Sequence, residues 1–211
     1  MAPLDADERG DLPLLVDAHD TLYGVTELGG KYGAGVAFSM SKAGNTWNYT
    51  TVYPFQGLPD AGYPYGGLIA DLHGGLYGTT YFGGVDGLGS AFEIGPGPTV
   101  LTRWKESVMY SFQGGTDASF PTSTLAFDPE GNLYGTGSTG GNPSCDCGAI
   151  FKLTPHSGGG WDESVLHAFG GSGGDGQAPS YGLTPDGLGN YFGVTPVGGI
   201  YGHGVVFQIT P

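Results

Sequence analysis

The stretch DPEGNLYGTG, Asp128 to Gly137, decides how the whole chain is read. Asp-x-x-Gly-Asn suits a reverse turn, because aspartate caps backbone amides and Gly or Asn tolerates positive φ. The Leu-Tyr-Gly run behind it favours a strand, so the segment reads as a hairpin turn feeding a strand. The same string recurs: LYGVT begins at Leu22, LYGTT at Leu76, LYGTG at Leu133 and YFGVT at Tyr191. Their glycines Gly24, Gly78, Gly135 and Gly193 are separated by 54, 57 and 58 residues.

Two further markers keep pace. GVAF, GSAF, GAIF and GVVF begin at Gly35, Gly89, Gly148 and Gly204. Val-aromatic runs end at Phe55, Phe112 and Phe169 (TTVYPF, ESVMYSF, ESVLHAF). Each unit therefore holds four β-rich runs: one ending at Asp17, Asp71, Asp128 or Asp186, the aromatic-Gly strand, the Gly-x-x-Phe strand, and the Phe-terminated strand. Four strands repeated at a period of about 56 residues predict an all-β chain, a β-propeller of four blades. The expected blades are 12–56, 62–113, 118–170 and 180–211, the last lacking its outer strand. The segment 1–11 could close the ring; otherwise the open blade edge could pair with a second protomer as a homodimer, or belong to a longer chain.

With 44 glycines, 15 prolines and 13% aromatics, the 211 residues suit many tight turns around a core. A net charge of −14 disfavours nucleic acid and anionic membranes as partners, since both repel a polyanion. No apolar run approaches membrane-spanning length. MAPLDADERGD carries acids where a secretory signal carries bases. Cys145 and Cys147 make no disulfide framework; a Cys-x-Cys bridge is possible, although its small ring is strained. They are read as free or irregular thiols rather than a zinc site, for want of a second ligand pair.

Leu-Tyr-Gly-Thr-Thr (Leu76 to Thr80) with Gly-x-x-Phe and Val-x-Tyr-Ser-Phe resembles a family of bacterial tandem-repeat surface proteins, over almost all the chain. That resemblance implies an extracellular or cell-surface location, with the cytoplasm left open. LAFDPEGNLYG (Leu125 to Gly135) is similar to a strand pair of regucalcin and gluconolactonase-type propellers, which hold calcium on the propeller axis and open lactones.

DAGYP, DASFP and DGQAP place Asp60, Asp117 and Asp175 at equivalent points of the loops entering three blades. Around a shared axis, with Asp5, Asp7, Glu8 or Asp11 in the fourth place, they would offer hard oxygen ligands to calcium. The competing reading is that each aspartate caps a turn before proline. The variable loops between second and third strands supply Lys31, Tyr32, Asp86, Asp146, Tyr201 and His203. Should hydrolysis occur, His203 is the candidate proton acceptor and Asp146 or Asp86 its orienter.

Two functions follow as expectations. One is a calcium-dependent hydrolase opening an acyl-homoserine or sugar lactone, the metal polarising the carbonyl while a base activates water. The other is a non-catalytic extracellular module binding a glycan or protein, with Tyr32, Tyr63, Tyr65, Tyr81 and Tyr201 available to stack on sugar rings.

Overall fold

The computed structural model describes residues 13–99 and 102–211; among them there is no helix, only antiparallel sheets in chain order. The first sheet runs β1 (Leu15–Val16), β2 (Leu22–Thr26), β3 (Val36–Ala43), β4 (Thr46–Pro54). In the second, β5 (Ala61–Pro64) and β6 (Ile69–Ala70) both pair with β7 (Leu76–Gly83), followed by β8 (Ser90–Thr99) and β9 (Thr102–Ser111). The third repeats this: β10 (Ala118–Pro121) and β11 (Ala126–Phe127) pair with β12 (Leu133–Gly140), then come β13 (Ala149–Pro155) and β14 (Trp161–Ala168). In the fourth repeat β15 (Gly176–Gln177) pairs with β18 (Val197–Gly198), and β16 (Thr184–Pro185), β17 (Tyr191–Thr195) and β19 (Val205–Ile209) form a three-stranded sheet. None of the sheets closes on itself, and among the described residues nothing pairs with the free edge of β19. The expected closing segment 1–11 lies outside the described residues.

Two sequence markers turn out to be one feature. Gly24, Gly78, Gly135 and Gly193 stand directly opposite Phe38, Phe92, Phe151 and Phe207 on the neighbouring strand. The ring lies over the bare backbone: a Cβ on Gly78 would sit 2.7 Å from Cζ of Phe92. The third marker packs from one repeat onto the next. Phe55 meets Phe92 at 5.0 Å between ring centroids, Phe112 meets Phe151 at 4.8 Å and Phe169 meets Phe207 at 5.3 Å. Around these pairs three apolar cores form, each between consecutive sheets; Val25, Ala37 and Phe55 face Leu76, Phe92 and Ile94 in the first. Each sheet thus buries one face against the next repeat, which is where most of the stabilisation arises.

The first strand of the second, third and fourth units departs from expectation. It is broken in two, and the residues after Asp60, Asp117 and Asp175, expected as loop, are strand. The break has a backbone cause. Tyr63, Phe120 and Ala178 take left-handed φ values of 59°, 47° and 53°, and their N–H groups turn away from their own sheet. They donate instead to the carbonyls of Ala34, Leu88 and Cys147 in the preceding repeat, each at 2.8 Å. Left-handed geometry is costly for a bulky side chain, on the order of 1–3 kcal/mol. The inter-repeat hydrogen bond and the ring contacts described below offset it.

Candidate functional site

The turn acids behave as the sequence suggests. Asp17, Asp71, Asp128 and Asp186 each accept two backbone amides within their hairpins, for example Glu130 N–H at 2.9 Å and Asn132 N–H at 2.8 Å on Asp128. Tyr23, Tyr77 and Tyr134 donate their hydroxyls to the first three. Burial pulls the Asp128 carboxyl upward, but the Asn132, Tyr134 and Glu130 hydrogen bonds outweigh it and hold the group below the usual carboxylate range.

The entering-loop aspartates are engaged one by one. Asp60 accepts the Tyr53 hydroxyl at 2.9 Å, and its carboxyl is hydrogen-bonded to that of Glu106 on β9. Burial, then the hydrogen bond and charge of Asp60, push Glu106 up to about 9. Glu106 is only 8% exposed, and at neutral pH it is a neutral acid donating to Asp60. Asp117 repeats the pattern with Tyr110 O–H at 3.1 Å, Gln113 N–H at 2.7 Å and Ala118 N–H at 2.6 Å. Its partner is Glu163 on β14, which burial and then the Asp117 charge push up to about 8. Asp175 has no glutamate beside it, because its repeat has no outer strand among the described residues. It accepts Gly170 N–H at 2.7 Å and Gly176 N–H at 2.8 Å, with His167 Nε2 at 3.3 Å. Burial raises Asp175, yet these partners leave it below the usual range.

Asp60, Asp117 and Asp175 are therefore capping groups at three separate junctions. Among the described residues no three His, Cys, Asp or Glu side chains gather as a metal site, and two of the junctions hold a proton-sharing acid pair. That donor chemistry does not fit a calcium ion, which needs several ionised or carbonyl oxygens together. Asp5, Asp7, Glu8 and Asp11 lie outside the described residues.

Asp86, Asp146 and His203 sit on the second-to-third strand loops of three different repeats, and no hydrogen bond joins His203 to either acid among the described residues. Asp146 turns back into its own loop, where its carboxylate accepts Gly140 N–H at 2.6 Å. Cys145 and Cys147 are joined in a disulfide across Asp146, the bridge that the sequence left open; the left-handed φ of 53° at Asp146 folds the chain so that the two sulfurs meet.

Tyr63, Tyr65 and Tyr81 do come together. They join Phe82 and Phe120 in one cluster where β5, β7 and β10 meet. Tyr81 lies 4.7 Å from Phe82, 5.0 Å from Phe120 and 5.8 Å from Tyr65, while Tyr63 meets Phe82 at 5.6 Å. All five rings are partly open to solvent, Phe82 by 43%. The hydroxyls of Tyr63, Tyr65 and Tyr81 make no hydrogen bond among the described residues, unlike those of Tyr53, Tyr77, Tyr110 and Tyr134, which are bound to aspartates. The cluster is also peculiar to one junction. Where repeat two has Tyr65, Tyr81 and Phe82, repeat three has Thr122, Ser138 and Thr139, and repeat four has Ser180, Pro196 and Val197. Tyr32, with Lys31 Nζ 4.9 Å over its ring, and Tyr201, 85% exposed, stand apart on other loops. Phe82 and Phe120 were missed in the sequence, although Phe120 occupies the position of Tyr63 one repeat later.

Among curated proteins none matches the chain. Residues 6–207 match the Gloeobacter/Verrucomicrobia repeat, which covers all four units described above. The chain belongs to the Gloeobacter/Verrucomicrobia repeat family.

Proposed function

We propose that the protein is a non-catalytic, cell-surface recognition module that binds a neutral glycan on the platform of Tyr63, Tyr65, Tyr81, Phe82 and Phe120. The observation that carries this is the platform itself: five clustered, partly exposed rings, three with unbound hydroxyls, built at a single junction of an otherwise repetitive frame. Sugar C–H faces pack on aromatic rings, and tyrosine hydroxyls supply donors and acceptors for sugar hydroxyls. A net charge of −14 repels sulfated or uronic-acid polymers, which favours uncharged sugars.

The arrangement we infer for the four repeats is that of propeller blades around one axis. In support, Pro13, Gly67, Thr124 and Gly182, equivalent positions of successive repeats, approach one another in turn. A Cβ on Gly67 would meet Pro13 at 2.5 Å and Thr124 at 2.9 Å, and one on Gly182 would meet Thr124 at 3.2 Å. Thr79 and Thr136 add hydrogen bonds to Ser123 and Tyr181 across the same junctions.

A glycan array of neutral oligosaccharides tests the reading. Binding should appear without turnover, and Tyr81→Ala should weaken it by at least about tenfold in a protein that still melts cooperatively. Absence of any glycan ligand, or binding indifferent to Tyr81→Ala, removes the proposal. Lactone hydrolysis that a chelator abolishes would replace it with the calcium-dependent hydrolase.

A further inference from the structure

The outer strands β9 and β14 meet their sheets in one uniform way. Glu106 stands opposite Ile94 and Glu163 opposite Leu153, and each glutamate lies against the aspartate that opens its repeat. The receiving half of this arrangement is repeated in the fourth unit. Ile209 on β19 stands where Ile94 and Leu153 stand, and Asp175 stands where Asp60 and Asp117 stand. Yet the far edge of β19 is unpaired among the described residues. Beside it lies a cavity of about 500 Å³, lined by Leu166, His167, Asp175, Phe207 and Ile209 among others.

We propose that this edge and cavity form a docking site for an extended polypeptide segment bearing the repeat's own outer-strand pattern, Glu-Ser-Val-x-(Tyr/His)-x-Phe. The segment would add antiparallel to β19 and lay its glutamate against Asp175. Backbone hydrogen bonding to the open edge supplies affinity, and the cavity with Asp175 selects the side chains. An uncovered strand edge is otherwise an aggregation hazard, which gives the site a reason to be filled. What fills it is read from two completed copies of the same junction within this chain.

The test uses the whole 211-residue chain and a labelled nonapeptide, WDESVLHAF, with the sequence of residues 161–169. The controls are a scrambled nonapeptide and the same nonapeptide methylated at alternate backbone nitrogens. Fluorescence anisotropy should show the parent peptide binding at least about tenfold more tightly than either control. Hydrogen exchange should slow along Val205–Ile209 in the complex. Discrimination of less than about tenfold, no binding at all, or binding without slower exchange on β19 overturns the proposal.

Discussion

Replacing Glu106 by glutamine removes one titrating group from a buried pair while keeping its shape. In the unfolded chain this carboxyl titrates near 4.5; in the folded protein it is pushed up to about 9. Between those values the folded state holds a proton that the unfolded state has released. The stabilising contribution is therefore complete below about pH 4.5 and drains away as pH climbs toward 9. One such group gives a limiting slope of about 1.4 kcal/mol per pH unit, or about 3 kcal/mol from roughly pH 5.5 to 7.5. Water reaching the pair and relaxation of the carboxyls reduce this to about 1–2 kcal/mol. Glu106→Gln should abolish that component, because the amide N–H donates to Asp60 at every pH. Urea unfolding followed by the fluorescence of Trp47, Trp104 and Trp161 reads the effect directly, at several values between about pH 5.5 and 7.5. The variant should lose about 1–2 kcal/mol less than the parent across that range and be the more stable protein at its upper end. Parallel pH profiles, or a variant weaker than the parent at about pH 7.5, would refute the reasoning.

Four other substitutions probe the frame. Gly78→Ala drives a methyl group into the Phe92 ring and should cost about 1–3 kcal/mol by chemical denaturation. Phe112→Ala opens a hole between the second and third sheets and should cost about 3–5 kcal/mol, whereas Phe192→Ala, on the half-open face of the fourth sheet, should cost under about 1 kcal/mol. Asp128→Ala strips hydrogen-bond acceptors from two backbone amides, Asn132 Nδ2 and the Tyr134 hydroxyl. Its cost of about 2 kcal/mol at neutral pH should shrink in acid, as the parent's depressed carboxyl becomes protonated.

The repeat and its strands were legible because three markers recur in fixed order, and the structure gives each a physical role. Gly78 must face Phe92, and Phe112 must cover Phe151, so spacing and residue type are both constrained. The break in the first strand was hidden: Tyr63 and Phe120 look like ordinary β-formers, and their left-handed backbone follows from a hydrogen bond to another repeat. The acid pairs were hidden for a related reason. Asp60 and Glu106 lie in different runs of the sequence, and each alone reads as a turn cap or a solvated charge. The aromatic patch was half visible, since Tyr63, Tyr65 and Tyr81 invite attention but nothing local brings Phe120 to Tyr81.

The most direct measurement is a nuclear magnetic resonance titration that follows the ring signals of Tyr63, Tyr65, Tyr81, Phe82 and Phe120 as a neutral oligosaccharide is added. Saturable shifts concentrated on those five rings are expected, with Tyr32 and Tyr201 unmoved. Shifts centred on Tyr32 or Tyr201, or none for any sugar that the array retains, would contradict the glycan proposal.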